Sequence, residues 1–338
     1  MSVNNELDSM VIYAELNVIF SALNDMFERK LGNRVNLSES LFTLQRKSKT
    51  VGAFSYRRFK NDNDEFRHEI SLNPEYFMVK PKIEILRTLC QELLLLYRIE
   101  HVESQNNFGA KGIYDAEWAD LMITIGLMPS NTGHPDGLRK IGKKISSYIL
   151  ANGEFLQFCN ELARSNTLIE WYDTFPAKYE VNDMLLDLYY LKENIGLDRI
   201  EPALIEIPLL IQKGINALDL VECLERDDDS KKVEIDPDKL QQLQVINPVL
   251  INDEDELNEF NQSLADGNSE YLKNVICKVT GLKPPKGLET KTVNYEYNCL
   301  CGNKIKSTDE NLDITCNKCQ TKYKMKIKKI QLDLTSNS

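Results

Sequence analysis

Apolar residues recur at helical spacing near the start of the chain, at Ile12, Leu16, Ile19, Phe20, Leu23, Met26 and Phe27, and predict an amphipathic helix over residues 9 to 31. Three short runs follow, "LFTLQRKS", "VGAFSYRRF" and "RHEISLNPEYF", which read as strands separated by polar turns. After them "KPKIEILRTLCQELLLLYRIEH" is apolar almost all the way round a helix, the pattern of an element buried on every side. A helix, a small sheet and a second helix make an α+β domain. One acidic side chain, Glu92, stands in the middle of the apolar helix. A Lys or Arg partner could hold it there, but a glutamate in that setting is also what remains of a catalytic helix whose metal ligands have been replaced.

From about Phe155 to Leu282 the periodicity is mainly helical, as in "LIEIPLLIQKGINALDLVECLER". The acidic runs "ERDDDSKKVEIDPD" and "INDEDELNEF" interrupt it and are expected to be solvated loops or helix N-termini. "GLKPPKGLETKT" reads as an extended linker, because paired prolines exclude helix and stiffen the chain. The expected organisation is an α+β domain over residues 1–160, a helical acidic region over 161–285 and a small module over 290–331.

Charge sharpens that division. The net charge of -11 divides as -1 over residues 1–160, -14 over 161–290 and +4 over 291–338. The acidity argues against nonspecific coating of DNA by the whole chain, while the basic tail remains suited to phosphate. No span approaches the roughly 20 apolar residues of a membrane helix, and "MSVNNELDSM" lacks the basic start and apolar core of a secretory signal, so a cytoplasmic protein with no membrane partner is expected.

The cysteines fall into two groups. Cys90, Cys159, Cys223 and Cys277 are scattered in apolar surroundings and are expected in the core. The other four stand as Cys299-x-Cys301-Gly, a 14-residue gap, then Cys316-x-x-Cys319. Two tight pairs of thiolates brought together by a hairpin are what a zinc ribbon needs, and Gly302 suits the turn at the first pair. Four thiolates leave no open coordination position, so one structural zinc is expected. Lys304, Lys306, Lys318, Lys322 and Lys324, with Lys326, Lys328 and Lys329 beyond them, put basic charge around the knuckles, with Tyr297 and Tyr323 available for stacking. The same lysines also suit a plain solvated face.

The segment "GAKGIYDAEWADLMITIGLMPSNTGHPDGLRKIGKKISSYILANGEF" resembles the SprT-like (Spartan-type) metalloprotease family, through Gly112, Glu117 and Trp118, Met122, "IGLMPSNTG", Gly137, Gly142, Tyr148 and "NGEF". The resemblance covers roughly residues 10–160 and 290–330 and implies a zincin-type domain followed by a zinc ribbon, with the acidic region as an insertion. Family members bind catalytic zinc through a helical His-Glu-x-x-His and a third histidine, with the glutamate taking a proton from zinc-bound water. Here the corresponding positions are Gln91, Glu92 and Leu95, and Tyr114 four residues before Trp118. Leucine has no donor atom, and glutamine and tyrosine are poor substitutes for imidazole. The three histidines, His68, His101 and His134, have no helical spacing to one another and read as lone loop or surface residues.

The resemblance therefore implies a pseudoprotease without catalytic residues, directed like its relatives to DNA or to a DNA-bound protein, and of a kind often carried by mobile elements. Two other readings stand beside it. Residues 161–285 could act as an acidic scaffold or decoy for a protein partner, or Glu92 could serve a metallopeptidase with altered ligands.

Overall fold

A computed structural model describes residues 11–46, 50–102, 114–142, 144–227, 232–247, 251, 254–284, 293–299, 301, 304–307, 315–316, 318 and 320–330. The chain divides into two units, residues 1–283 and 284–338. In the first, helix α1 (Val11–Leu31) lays Leu16, Ile19, Phe20, Leu23, Met26 and Phe27 into the core, the stripe that the spacing predicts. Strands β1 (Ser40–Leu44), β2 (Gly52–Lys60) and β3 (Phe66–Leu72) form a sheet in the order β1-β3-β2, parallel between β1 and β3 and antiparallel between β2 and β3. Helix α2 (Lys82–His101) is buried at every residue from Ile83 to Arg98.

The start of β2 lies directly on α2. A Cβ on Gly52 would come within 2.7 Å of the Thr88 methyl and 3.5 Å of Glu92 Cγ, so the absence of a side chain lets the strand approach the helix at the point where Glu92 emerges. Helix α3 (Ala116–Thr124) is capped by Asp115, whose carboxylate accepts from the Trp118 amide, and leads into the β4 (Leu127–Ser130) and β5 (Ser146–Ile149) hairpin. Between them Gly126, at φ +91°, lies against Gly153. A Cβ on Gly126 would fall 2.4 Å from the Gly153 Cα, which explains two of the glycines in "IGLMPSNTG" and "NGEF" by backbone contact alone.

Helices α4 (Glu154–Arg164), α5 (Val181–Ile195), α6 (Pro202–Ile205), α7 (Pro208–Gln212) and α8 (Ala217–Glu222) follow. The first acidic run, expected as a solvated loop or a helix N-terminus, pairs as a hairpin, β6 (Leu224–Asp227) with β7 (Lys232–Ile235), because Leu224, Val233 and Ile235 are buried, and its end caps the next helix through Asp236. Helices α9 (Pro237–Gln242), α10 (Glu254–Ala265) and α11 (Ser269–Thr280) complete the unit. The second acidic run opens α10 with Glu254, Asp255 and Glu256 in its first turn, where the helix dipole favours anions. Cys90, Cys159, Cys223 and Cys277 are all buried.

The expected segments 1–160 and 161–285 share one hydrophobic core that runs from Leu16 to Leu282. A buried ion pair also links them. Lys80 Nζ donates to Asp187 Oδ2 at 2.6 Å and to the Tyr179 hydroxyl at 2.7 Å, and that hydroxyl donates to the same Oδ2 at 2.7 Å. Burial alone would raise the Asp187 carboxyl; the Lys80 ammonium, His134 and these hydrogen bonds hold it below the usual range. In the second unit, β8 (Val293–Asn298), β9 (Lys304–Ser307) and β10 (Lys324–Ile330) form an antiparallel sheet in the order β10-β8-β9. No helix among the described residues is long and apolar enough to cross a membrane. The architecture is mixed α and β with small sheets, as expected for an α+β chain.

Removing one partner of a buried ion pair leaves the other uncompensated. Lys80→Met should therefore lower the free energy of unfolding by about 3 to 5 kcal/mol, and Lys80→Met with Asp187→Leu should recover most of the loss, as read by urea denaturation of the full chain.

Candidate functional site

Gln91 and Glu92, adjacent on α2, and Tyr114 beyond that helix are positions that the resemblance groups together, and they line one cleft of about 440 Å³. Helix α2 supplies Gln91 and Glu92. Tyr114 is fixed by a two-way backbone bridge, Gly142 N–H donating to its carbonyl at 2.7 Å and its own N–H to Gly142 at 3.2 Å, and its ring lies 4.5 Å from that of Trp118. Leu95 is buried in the hydrophobic core and does not line the cleft.

Gln91 is held on both sides: its amide nitrogen donates to the Ile145 carbonyl at 3.3 Å, and its oxygen accepts from Ser147 at 3.3 Å. Glu92 is 3% exposed. Among the described residues, the Phe54 backbone donates to its carboxylate while Oε2 has no hydrogen-bond partner. Among the described residues no basic side chain forms an ion pair with it; Arg87, on the same helix, is engaged by Glu84 at 2.8 Å and by Ser146 and Ser147 at 3.0 and 3.2 Å. Desolvation dominates, and the Glu92 carboxyl is pushed up to about 7 against the Phe54 hydrogen bond and the more distant Arg87 charge. The Glu92 charge, together with burial, in turn pushes the Tyr114 hydroxyl well up, so it stays a phenol.

The opposite wall holds residues that sequence reasoning passed over. His134 lies in a loop, as expected, but it is not alone: it lines the cleft, stacks on Tyr190 of α5 at 4.4 Å, and has Nε2 4.0 Å from Asp187. Burial lowers its pKa, which favours neutral imidazole despite the nearby Asp187. Lys80, Tyr179 and Asp187 stand beside it. The available signal was the one that exposed Glu92: Asp187 interrupts the apolar "MLLDLYYL" and Lys80 directly precedes an apolar helix. The remaining histidines lie elsewhere, His68 buried against Phe54 and His101 at the end of α2 facing the Arg34 carbonyl.

The second site is the cysteine cluster of the C-terminal unit. Sulfur atoms of Cys299, Cys301 and Cys316 lie within 4.8 Å of one another and can hold a metal ion. Cys301 and Cys316 are 3.6 Å apart, close to the edge of about 3.8 Å of a tetrahedron with roughly 2.3 Å zinc–sulfur arms. Cys299 and Cys301 are closer, at 2.9 Å. The turn after Cys316 closes through Gln320 N–H to the Cys316 carbonyl at 2.8 Å, with Gln320 at φ +56°. Cys319 and Gly302 lie outside the described residues. Lys304, Lys318, Lys322 and Lys324 are exposed, and Lys306 lies on β9.

Comparison with protein families, with curated proteins and with solved structures finds no match to this chain. The site's chemistry therefore rests on its own geometry: a polar cleft in which the Glu92 carboxyl is held near neutrality, and a separate group of converging thiols.

The raised Glu92 pKa sets a pH dependence. A folded value of about 7 above an ordinary 4.5 means that the folded state holds a proton which the unfolded chain releases, so stability is fully present below about 4.5 and is lost as pH rises through about 7. Glu92→Gln should remove this loss and gain about 3 kcal/mol over the unaltered protein between pH 4.5 and pH 8, measured by denaturation at each pH.

Proposed function

We propose that the chain is a non-catalytic, SprT-like pseudoprotease that binds DNA or a DNA-associated protein and carries one structural zinc in a C-terminal ribbon. The observation that carries the reading is the meeting of Gln91, Glu92 and Tyr114 at one cleft. An amide, a carboxyl and a phenol stand where the family's resemblance would call for two imidazoles and a general base, while the remaining ligand position, Leu95, is packed in the core. An amide already bonded to Ile145 and Ser147 and a phenol held well above neutrality are weak donors for zinc. Without a metal to acidify water, Glu92 has no nucleophile to generate, and a carboxyl with a pKa of about 7 is partly protonated at neutral pH.

The converging thiols of Cys299, Cys301 and Cys316, with Cys319 as the fourth ligand, would hold zinc as a brace for the small sheet. Lys304, Lys306, Lys318, Lys322 and Lys324 then serve as phosphate contacts near the knuckles, within the segment that carries a charge of +4 in an otherwise acidic chain.

Two measurements test the reading. Purified full-length protein should carry close to one zinc per chain, with Cys316→Ser losing it; elemental analysis showing two zincs would restore a metal to the cleft. The protein should not cleave itself or DNA-bound proteins with zinc, manganese or DNA present, and Glu92→Gln should bind partners within a few-fold of the original. Metal-dependent cleavage that disappears in Glu92→Gln would overturn the non-catalytic assignment.

A further inference from the structure

Strands β2 and β3 carry a second concentration of rings and cations, remote in sequence from the cysteine ribbon. Phe54 stacks on His68 at 5.5 Å, His68 meets Tyr56 at 5.0 Å, and the Arg57 guanidinium lies over both Tyr56 and Phe66, 5.2 and 5.4 Å from their centroids. Tyr56 and Phe66 are 41% and 40% exposed, large rings that the fold does not need to bury. They border a cleft of about 500 Å³ that runs from the hairpin to the end of α2, with Arg57, Arg67, Arg98 and Glu39 also in its wall.

The backbone here is unusual. The β2–β3 register shifts between Ser55 and Phe59, and Arg57 sits at φ +45°, a left-handed conformation that a non-glycine residue adopts at a cost. The Arg57 N–H donates to His68 Nδ1 at 3.2 Å, which locks the bulge onto the ring stack. A bulge re-aims side chains and interrupts ladder bonding, so β2, one of the two edge strands of its sheet, is poorly shaped to pair with a partner's strand and well shaped to present side chains.

The hairpin carries both signs of charge. Arg57, Arg58, Lys60 and Arg67 stand on its strands with the buried Glu69, from which Arg58 lies 3.9 Å, and Asp62, Asp64 and Glu65 stand in the turn. Lys60 pairs with Asp64, and Arg67 lies 3.9 Å from Glu39. Arg98 is already engaged by Asp115 and by Glu117 at 2.8 Å. Arg57 forms no ion pair among the described residues; its contacts are the two rings.

We propose that this hairpin face binds single-stranded DNA, with unstacked bases lying on Tyr56 and Phe66 and phosphates meeting Arg57, Arg58 and Lys60. Aromatic faces accept any base, and guanidinium groups beside them take both phosphate and ring contacts, so the recognition is tolerant of sequence. The inference deepens the DNA-binding reading above and places contacts at a site separate from the ribbon lysines.

Full-length protein is titrated into a fluorescein-labelled 15-nucleotide single strand of mixed sequence, and anisotropy is read at two salt concentrations. Tyr56→Ala with Phe66→Ala should weaken binding by at least about tenfold. Tyr56→Phe with Phe66→Tyr, which keeps the rings, should stay within about threefold. Arg58→Glu with Lys60→Glu, at exposed positions, should weaken binding and flatten its salt dependence. Unchanged binding in the double alanine variant, with loss in Lys322→Glu and Lys324→Glu, would overturn the hairpin site and leave the ribbon reading standing. Equal loss for a duplex of the same sequence would overturn base stacking. No binding of either DNA by the unaltered protein would overturn both.

Discussion

Burying a helix that carries charges is the constraint around which the first unit is organised. Helix α2 is enclosed from Ile83 to Arg98, so each polar group on it must find a partner or change its protonation. Glu84 and Arg87 neutralise each other within the helix, and Arg98 takes Asp115 and Glu117. Glu92 follows the other route: with no ion-pair partner among the described residues, its carboxyl moves up to about 7. Just before the helix, Lys80 reaches across to Asp187, so one ammonium ties the α2 end of the fold to α5.

That solution also shapes the cleft. Because Gly52 lets β2 settle on α2, the strand roofs Glu92, and because α5 brings Asp187 and Tyr190 toward His134, the far wall is built by the region that the sequence marks only as helical and acidic. The result is a polar hollow whose charges are mostly paired with one another. Convergence of soft donors on a single point, as a metal ion requires, is seen among the described residues at the thiols of Cys299, Cys301 and Cys316.

The bulge at Arg57 shows a different use of constraint. A left-handed arginine at the edge of a three-stranded sheet is held by its hydrogen bond to His68 and by two flanking rings, and the exposed aromatic surface follows from that geometry. "YRRFK" reads from sequence only as an alternating strand, since nothing in residue type announces where a ladder will slip.

The sequence by itself determined the elements with a strong local period: α1 and its stripe, the three strands, the all-round burial of α2, the core cysteines and the paired spacing of the ribbon thiols. It also singled out Glu92, because a carboxylate in an apolar run is visible without coordinates. Only the tertiary structure decided what surrounds that carboxyl. The 107 residues between Lys80 and Asp187, and the distance in sequence between His134 and Tyr190, lie beyond any period of 2 or 3.6. It likewise paired much of the run "ERDDDSKKVEIDPD", expected as a solvated loop or a helix N-terminus, into a hairpin that ends at a helix cap, because Leu224, Val233 and Ile235 gain burial against neighbours that the local charge count cannot register, and it merged residues on both sides of position 160 into one core for the same reason. Periodicity reports which face of an element is apolar; which other face covers it is settled only when the chain closes on itself.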